Sequence, residues 1–277
     1  MGRTLRVCAW KFFRTFCLYA VLPLIATPSF SSTLTVESET LIRSFERDTG
    51  GGTTDPVLPI HEYLTLDVER LKSKYLSLHV YVWGRHDVLD SSYYEDQSDG
   101  ELVYAYLEFA DSYRDRSLRL GRQHIFAGVA KDTIDGLSVS SDFGNQLSLS
   151  AYGGLPVGLA DSGGTSGDSI WGGRIAHRFS IFSNIGLSYQ NIENNSNTVT
   201  STLGVDSAFL FPKNIGLYGN SVHNMETKEW GEHTYWLHLS FGNLSVRPYY
   251  EFFEYDEYFD TGSISSGPFK FLLGSGE

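Results

Sequence analysis

From about residue 40 onward the sequence alternates apolar and polar residues with period two, again and again. Leu76, Leu78, Val80 and Val82 interleave with Ser77, His79, Tyr81 and Trp83. Val103, Ala105, Leu107 and Phe109 interleave with Tyr104, Tyr106 and Glu108. Leu244, Val246, Pro248, Tyr250 and Phe252 interleave with Ser245, Arg247, Tyr249 and Glu251. Period two places successive side chains on opposite faces of a strand. Beyond the first thirty residues no segment reads as a long amphipathic helix. The chain is therefore expected to be all-β, with strands that carry one apolar side. That side must meet either a protein core or lipid.

The N-terminal segment bears on the choice. Arg3, Arg6, Lys11 and Arg14 form a basic start, residues 16–25 are apolar, and Ala26, Thr27, Pro28 and Ser29 follow. This is the order of a secretory signal peptide, and the apolar run is too short to span a membrane. Residues 1–29 are read as the signal and 30–277 as one β-barrel domain. Cys8 and Cys17 both fall in the signal. The mature chain then lacks cysteine, which excludes disulfides, thiol catalysis and cysteine-ligated metal or haem.

Removing the four signal cations from the 21 Lys and Arg leaves 17 against 33 acidic residues, a net charge near −16. Such a chain has no basic footprint for nucleic acid. The counts of Gly (28), Tyr (17) and Phe (18) suit many strands and tight turns. Mean hydropathy is slightly negative. A closed barrel can still cross a membrane, since only every second residue must be apolar.

Fourteen strands are expected, at about 40–47, 60–70, 74–83, 101–109, 117–124, 133–140, 146–153, 169–179, 183–191, 200–210, 214–221, 233–241, 243–253 and 268–273. Between them short connections (71–73, 110–116, 141–145, 180–182, 211–213 and 242) alternate with long ones. The long ones are 48–59, 84–100, 125–132, 154–168, 192–199, 222–232 and 254–267. Up-and-down barrels of an outer membrane have short periplasmic turns and longer outer loops. A Greek-key sandwich has no reason to alternate so. If the first strand runs outward, every short turn and the N-terminus lie in the periplasm. The final strand stops early at Gly274-Ser275-Gly276-Glu277, as in a C-terminally truncated barrel.

One pair of motifs carries a family resemblance. Leu118-Arg119-Leu120-Gly121-Arg122-Gln123 ends one strand, and Ile134-Asp135-Gly136-Leu137-Ser138-Val139 opens the next. The pairing resembles that in large Gram-negative outer-membrane porins, including the alginate-export-like group. Glu62-Tyr63-Leu64-Thr65-Leu66-Asp67 is similar to their second strand. The motif-level likeness covers about residues 60–155. It implies a monomeric barrel of 14–18 strands that passes small solutes through an outer membrane. The polar stretch after Gly-Arg-Gln, residues 124–133, is shorter than in the alginate-export-like pattern, which argues against alginate. Within the motif Leu118 and Leu120 are expected to face lipid. Arg119, Gly121 and Gln123 are expected to face the lumen. Arg122 falls on the apolar parity, so it should sit at headgroup level or follow a bulge, because a mid-bilayer charge costs roughly 2–4 kcal/mol.

The lumen parity collects Asp67, Glu69, His79, Tyr104, Tyr106, Glu108, Arg119, Gln123, Arg174, Arg178, Asp206, His238, Arg247 and Glu251. Opposed acidic and basic groups of this kind bias ion passage, or else brace the wall as salt bridges. His79, His124, His177, His223, His233 and His238 are scattered without metal-ligand spacing, so no metal and no cofactor is expected. The acidic stretch 87–99 lacks the EF-hand pattern. No GxSxG, P-loop or dinucleotide motif is present, and residues 163–168 lead into no helix that could hold phosphate. No enzyme activity is expected. Tyr93-Tyr94, Tyr249-Tyr250 and Phe252-Phe253 are read as interface girdles. The expected partners are outer-membrane lipid or lipopolysaccharide and small solutes or ions. Two other readings stay open: a barrel sheathing a periplasmic multihaem protein, and a secreted β-sandwich or lectin-like domain.

Overall fold

A computed structural model describes residues 32–254 apart from short connecting stretches (51, 72, 90–92, 95, 112–114, 145, 158–167, 181–182, 195–196, 212–214 and 243). The signal segment expected at 1–29 and the strand expected at 268–273 lie outside the described residues. Among those described, all regular structure is β. The strands are β1 (Thr33–Ile42), β2 (Phe45–Gly50), β3 (Thr53–Val57), β4 (Pro59–Glu69), β5 (Leu76–Asp87), β6 (Ser98–Ala110), β7 (Arg116–Ala127) and β8 (Ala130–Phe143). They continue as β9 (Leu147–Pro156), β10 (Ser169–Ser180), β11 (Ser183–Asn194), β12 (Asn197–Phe211), β13 (Ile215–Asn224), β14 (Glu229–Phe241), β15 (Leu244–Val246) and β16 (Tyr249–Phe253).

Fourteen of these form one antiparallel up-and-down sheet, in which β1 pairs β4 and each later strand pairs the next. Its sequential order rules out a Greek-key sandwich. Both β15 and β16 pair with β14 in a single register, so they are two pieces of one strand. The break falls at Arg247-Pro248, because proline has no N–H to give the ladder. The Pro248 carbonyl still accepts from the Leu237 N–H at 3.0 Å. The strand expected at 40–47 divides between β1 and β2. The long connection after it holds the separate β2–β3 hairpin.

The two faces of the wall differ as the alternation predicts. Outward side chains form a continuous apolar band. Leu107, Leu120, Leu137, Val139, Ile175 and Leu187 are each 38–55% exposed on neighbouring strands. Outward aromatic rings bound the band at both ends. At the short-turn end Tyr75 meets Phe109, and Phe179 touches both His177 and Phe209, which in turn stacks on Phe211. At the long-loop end Trp171 meets Tyr189, and His223, Trp230, His233 and Phe252 run in series. Trp171 and Phe179 of β10 are eight residues apart, as are His233 and Phe241 of β14. Eight residues span about 26 Å along a strand, or on the order of 20 Å along the normal at a tilt of ~40°. A water-soluble monomer does not leave a patch of this size uncovered.

The long-loop ends depart from expectation. The connections expected at 125–132, 192–199 and 222–232 are mostly strand, and the turns at 128–129 and 225–228 are two and four residues long. The ladder needs backbone groups rather than apolar side chains, so hairpins continue above the apolar band. Tyr93 and Tyr94 are also not girdle residues. Tyr93 packs edge-on against Phe45 of β2 at 5.2 Å, and Arg85 lies 3.4 Å over the Tyr94 ring. Tyr93 thus joins the β2–β3 hairpin, and Tyr94 joins β5. Within the later pairs only Tyr250 and Phe252 share the outward parity; Tyr249 stacks inward on Trp236.

Candidate functional site: the inner face of the wall

The inner face is built around a hairpin that folds inward. β7 and β8 pair without interruption up to Ala127 and Ala130, joined by Gly128-Val129. Gly128 has φ +68°, the left-handed conformation that suits a tight turn. The inner sides of these strands (Ile125, Ala127, Ala130 and Ile134) pack with Tyr152 of β9 and Ile170 of β10, with Ile192 of β11 against them. Ile134 and Ile170 are at most 1% exposed. The tip reaches further. The Val129 N–H donates to Ser188 Oγ of β11 at 3.0 Å, and Asp132 Oδ2 accepts from Gln190 Nε2 at 2.6 Å. Gly204 of β12 leaves the space that Val129 fills, since a Cβ there would overlap the valine side chain. A hairpin leaving the wall at β7–β8 thus crosses the inner faces of β9 and β10 to rest on β11 and β12.

The crossing starts at a crease. Gly121 and Gly136 are opposite each other in β7 and β8, and a Cβ on either would run into a backbone carbonyl of the next strand. Gln123 lies beside the crease at 1% exposure. Its amide donates to the Arg119 and Gly136 carbonyls, and its Oε1 accepts from Ser138 Oγ at 2.6 Å. Gln123 was expected to line an open lumen. It sits on the inner face, yet the hairpin seals it, and it braces the fold instead.

Under the hairpin tip lies an ion pair. Arg174 Nε donates to Asp206 Oδ1 at 2.9 Å and its terminal nitrogen to Oδ2 at 2.5 Å. The pair spans Gly186 of β11, where a Cβ would collide with both side chains. Its two-point geometry fixes both groups.

A second constellation occupies β4 to β7. Asp67 Oδ1 is 2.6 Å from His79 Nδ1, and His79 Nε2 is 3.9 Å from Glu108 Oε2. Arg119 Nε donates to Glu108 Oε1 at 2.8 Å, and the guanidinium sits 5.3 Å from the centre of the Tyr106 ring. His79 stacks on Tyr106 at 5.0 Å, and Tyr104 joins Tyr106 to Tyr81. Glu108, expected to face the lumen openly, is 3% exposed beneath its partners.

The other inner-face residues stand apart. Arg178 is 3.7 Å from Asp142, and Arg247 Nε is 3.1 Å from His238 Nδ1. Glu251 is opposite Thr234 and bonded to the Tyr249 hydroxyl, while Glu69 ends β4 opposite Thr33. All fourteen residues singled out in the sequence fall on one parity, but in separate patches rather than one ring. Arg122, at the end of the β6–β7 ladder beside the crease, binds Asp135 through two bonds of 2.8 Å and the Leu102 carbonyl through a third. Its charge is thus neutralised by Asp135. Among the described residues no group of His, Cys, Asp and Glu is arranged to hold a metal ion.

The sequence reading missed the hairpin contact set of Val129, Ser188, Gln190 and Gly204. A signal was there: Ile125, Ala127, Ala130 and Ile134 put apolar residues on the parity that is polar elsewhere.

No protein-family profile matches the sequence, and no curated protein matches it. Among solved structures the chain is similar to a triple mutant of the Rhodopseudomonas blastica porin, with 13% identity and a TM-score of 0.46 over 81% of this chain and 85% of that one. It is also similar to OccD3 (OpdP) of Pseudomonas aeruginosa, with 15% identity and a TM-score of 0.42 over 75% of this chain. The match covers 53% of OccD3, so the chain spans about half of that protein's length.

Proposed function

We propose that this chain forms the wall of an outer-membrane porin-like channel for passive diffusion of small solutes or ions. One observation carries the reading: the outward apolar band lies between two aromatic belts, while the inner face is polar and charged. Lipid is the medium that accepts the first surface, and water the medium that accepts the second. The inward hairpin narrows the conduit at the level of the Arg174–Asp206 pair. Selectivity then follows from width and lining charge, with no cofactor and no catalytic step.

Purified full-length protein tests this in planar bilayers. Discrete, ohmic conductance steps are expected, together with faster migration of unboiled than of boiled samples on gels. Heat-modifiable migration with no conductance steps would reject the channel and leave a barrel that serves another purpose.

A further inference from the structure

The inner face of β1, β4, β5 and β6 carries an aromatic and acidic patch that borders the Asp67–His79–Glu108–Arg119 network. Three adjacent rungs build it. Asp67, His79 and Tyr106 share one, Glu37, Thr65, Tyr81 and Tyr104 the next, and Glu39, Tyr63, Trp83 and Glu101 the third. Neighbouring strands are about 4.8 Å apart, and same-face residues along a strand about 6.7 Å apart. Aromatic faces and carboxylates therefore recur at the spacing of a small organic molecule.

The patch is concave. Glu37, Glu39, Tyr63, Thr65, Tyr81 and Tyr104 line a recess of about 690 Å³. Tyr81 lies 5.5 Å from Tyr104, and Tyr104 lies 5.7 Å from Tyr106, so the rings form a continuous track. Tyr63, Tyr81 and Tyr104 line the recess, whereas Tyr106 is taken up by His79 and Arg119.

The edge formed by β1 is acidic. Asp67 is held by His79, and Glu101 accepts from the Trp83 indole. Glu37 and Glu39 have no cationic partner among the described residues. Two arginines stand near the patch, and both are committed, Arg119 to the buried Glu108 and Arg122 to Asp135. An aromatic recess edged by unpaired carboxylates attracts a cation twice, through the ring quadrupoles and through direct charge. It repels carboxylates and phosphates. A neutral sugar would gain the stacking and hydroxyl contacts but none of the charge term.

We propose that this recess is a binding subsite for organic cations, of the quaternary ammonium or alkylguanidinium class, on their way through the lumen. The proposal deepens the channel reading and rests on it for the transport role, though not for the binding.

Benzyltrimethylammonium is the probe, with benzenesulfonate and glucose as the anionic and neutral controls. Equilibrium binding to the detergent-solubilised full chain is measured by calorimetry, and current block is measured in bilayers. The cation is expected to bind and to interrupt the current, while the controls do neither at equal concentration. Tyr104→Leu should weaken binding roughly threefold to thirtyfold, the range of one cation–π contact, whereas Tyr104→Phe should keep it. Glu39→Gln should weaken the cation and leave glucose unchanged. Heat-modifiable migration checks that each variant folds.

Binding without conductance would retain the subsite and reject the channel. Conductance with equal affinity for cation and anion, or with affinity unchanged in both Tyr104→Leu and Glu39→Gln, would reject the subsite and retain the channel.

Discussion

Arg174 and Asp206 show how a residue can be legible in type and illegible in role. Both were placed on the inner face by parity alone. That they touch, and that a hairpin tip ends above them, depends on Gly186 lying between them and on Gly204 one strand further. Nothing in the spacing of residues 174 and 206 encodes a contact across two strand pairs. The pair is electrically neutral as it stands. Asp206→Asn leaves a fixed cation near the narrow level, and Arg174→Gln leaves a fixed anion. A unit charge about 7 Å from a passing ion contributes roughly 0.6 kcal/mol in a water-like medium, or about threefold in relative permeability. The two variants should therefore shift the reversal potential in a salt gradient in opposite directions, Asp206→Asn toward anions and Arg174→Gln toward cations. Identical reversal potentials in both variants and the parent would place the pair outside the conduction path. Gln123 teaches the converse. Its parity was right, yet the hairpin closes over it, so its side chain became a brace.

At the scale of elements, strand identity was readable and strand ends were not. The expected strands match β4 to β14 in order and direction. Their limits were drawn where apolar residues stop alternating, but hydrogen bonding continues for several residues past that point. Thus β12 runs from Asn197 to Phe211, and β7–β8 closes on Gly128-Val129 in place of a long loop. The alternation of long and short connections is accordingly weaker in the structure than in the sequence. The inward hairpin itself makes a sharp prediction. Val129 and Gly204 are in contact, and the sequence has no cysteine after Cys17. In a Val129→Cys, Gly204→Cys protein a disulfide should form under mild oxidation, seen as a shift on non-reducing gels. Conductance should be the same before and after reduction, because the bond would only hold what packing already holds. Gly204→Leu fills the seat of Val129 and should lever the tip away, raising single-channel conductance. A large rise in conductance on reducing the double-cysteine protein would mean that the hairpin normally swings free of the wall.

For the molecule as a whole the decisive asymmetry is between the two sides of one sheet. Alternation establishes that two sides exist; the aromatic belts, invisible until strands are registered against each other, mark one side as different from the other. Phe179 and Phe209 are thirty residues apart in sequence and 6.1 Å apart at one level of the wall. The same asymmetry predicts that identical substitutions differ by face. Leu187 is outward, 47% exposed, and flanked by Ile175 and Val205 in the middle of the band. Ser140 is inward, exposed, and bonded to Ser117. Leu187→Arg puts a charge into hydrocarbon and should cost about 2–4 kcal/mol of folding free energy in vesicles. Ser140→Arg gives its charge to water and should cost under about 1 kcal/mol, the scale of the single hydrogen bond it removes. Reversible urea titration of each variant in lipid vesicles, read by tryptophan fluorescence, measures both. Equal costs on the two faces would mean that the apolar band meets something other than lipid. A cost confined to Leu187→Arg in vesicles, and absent in detergent mild enough to rearrange around the arginine, ties the penalty to the bilayer itself.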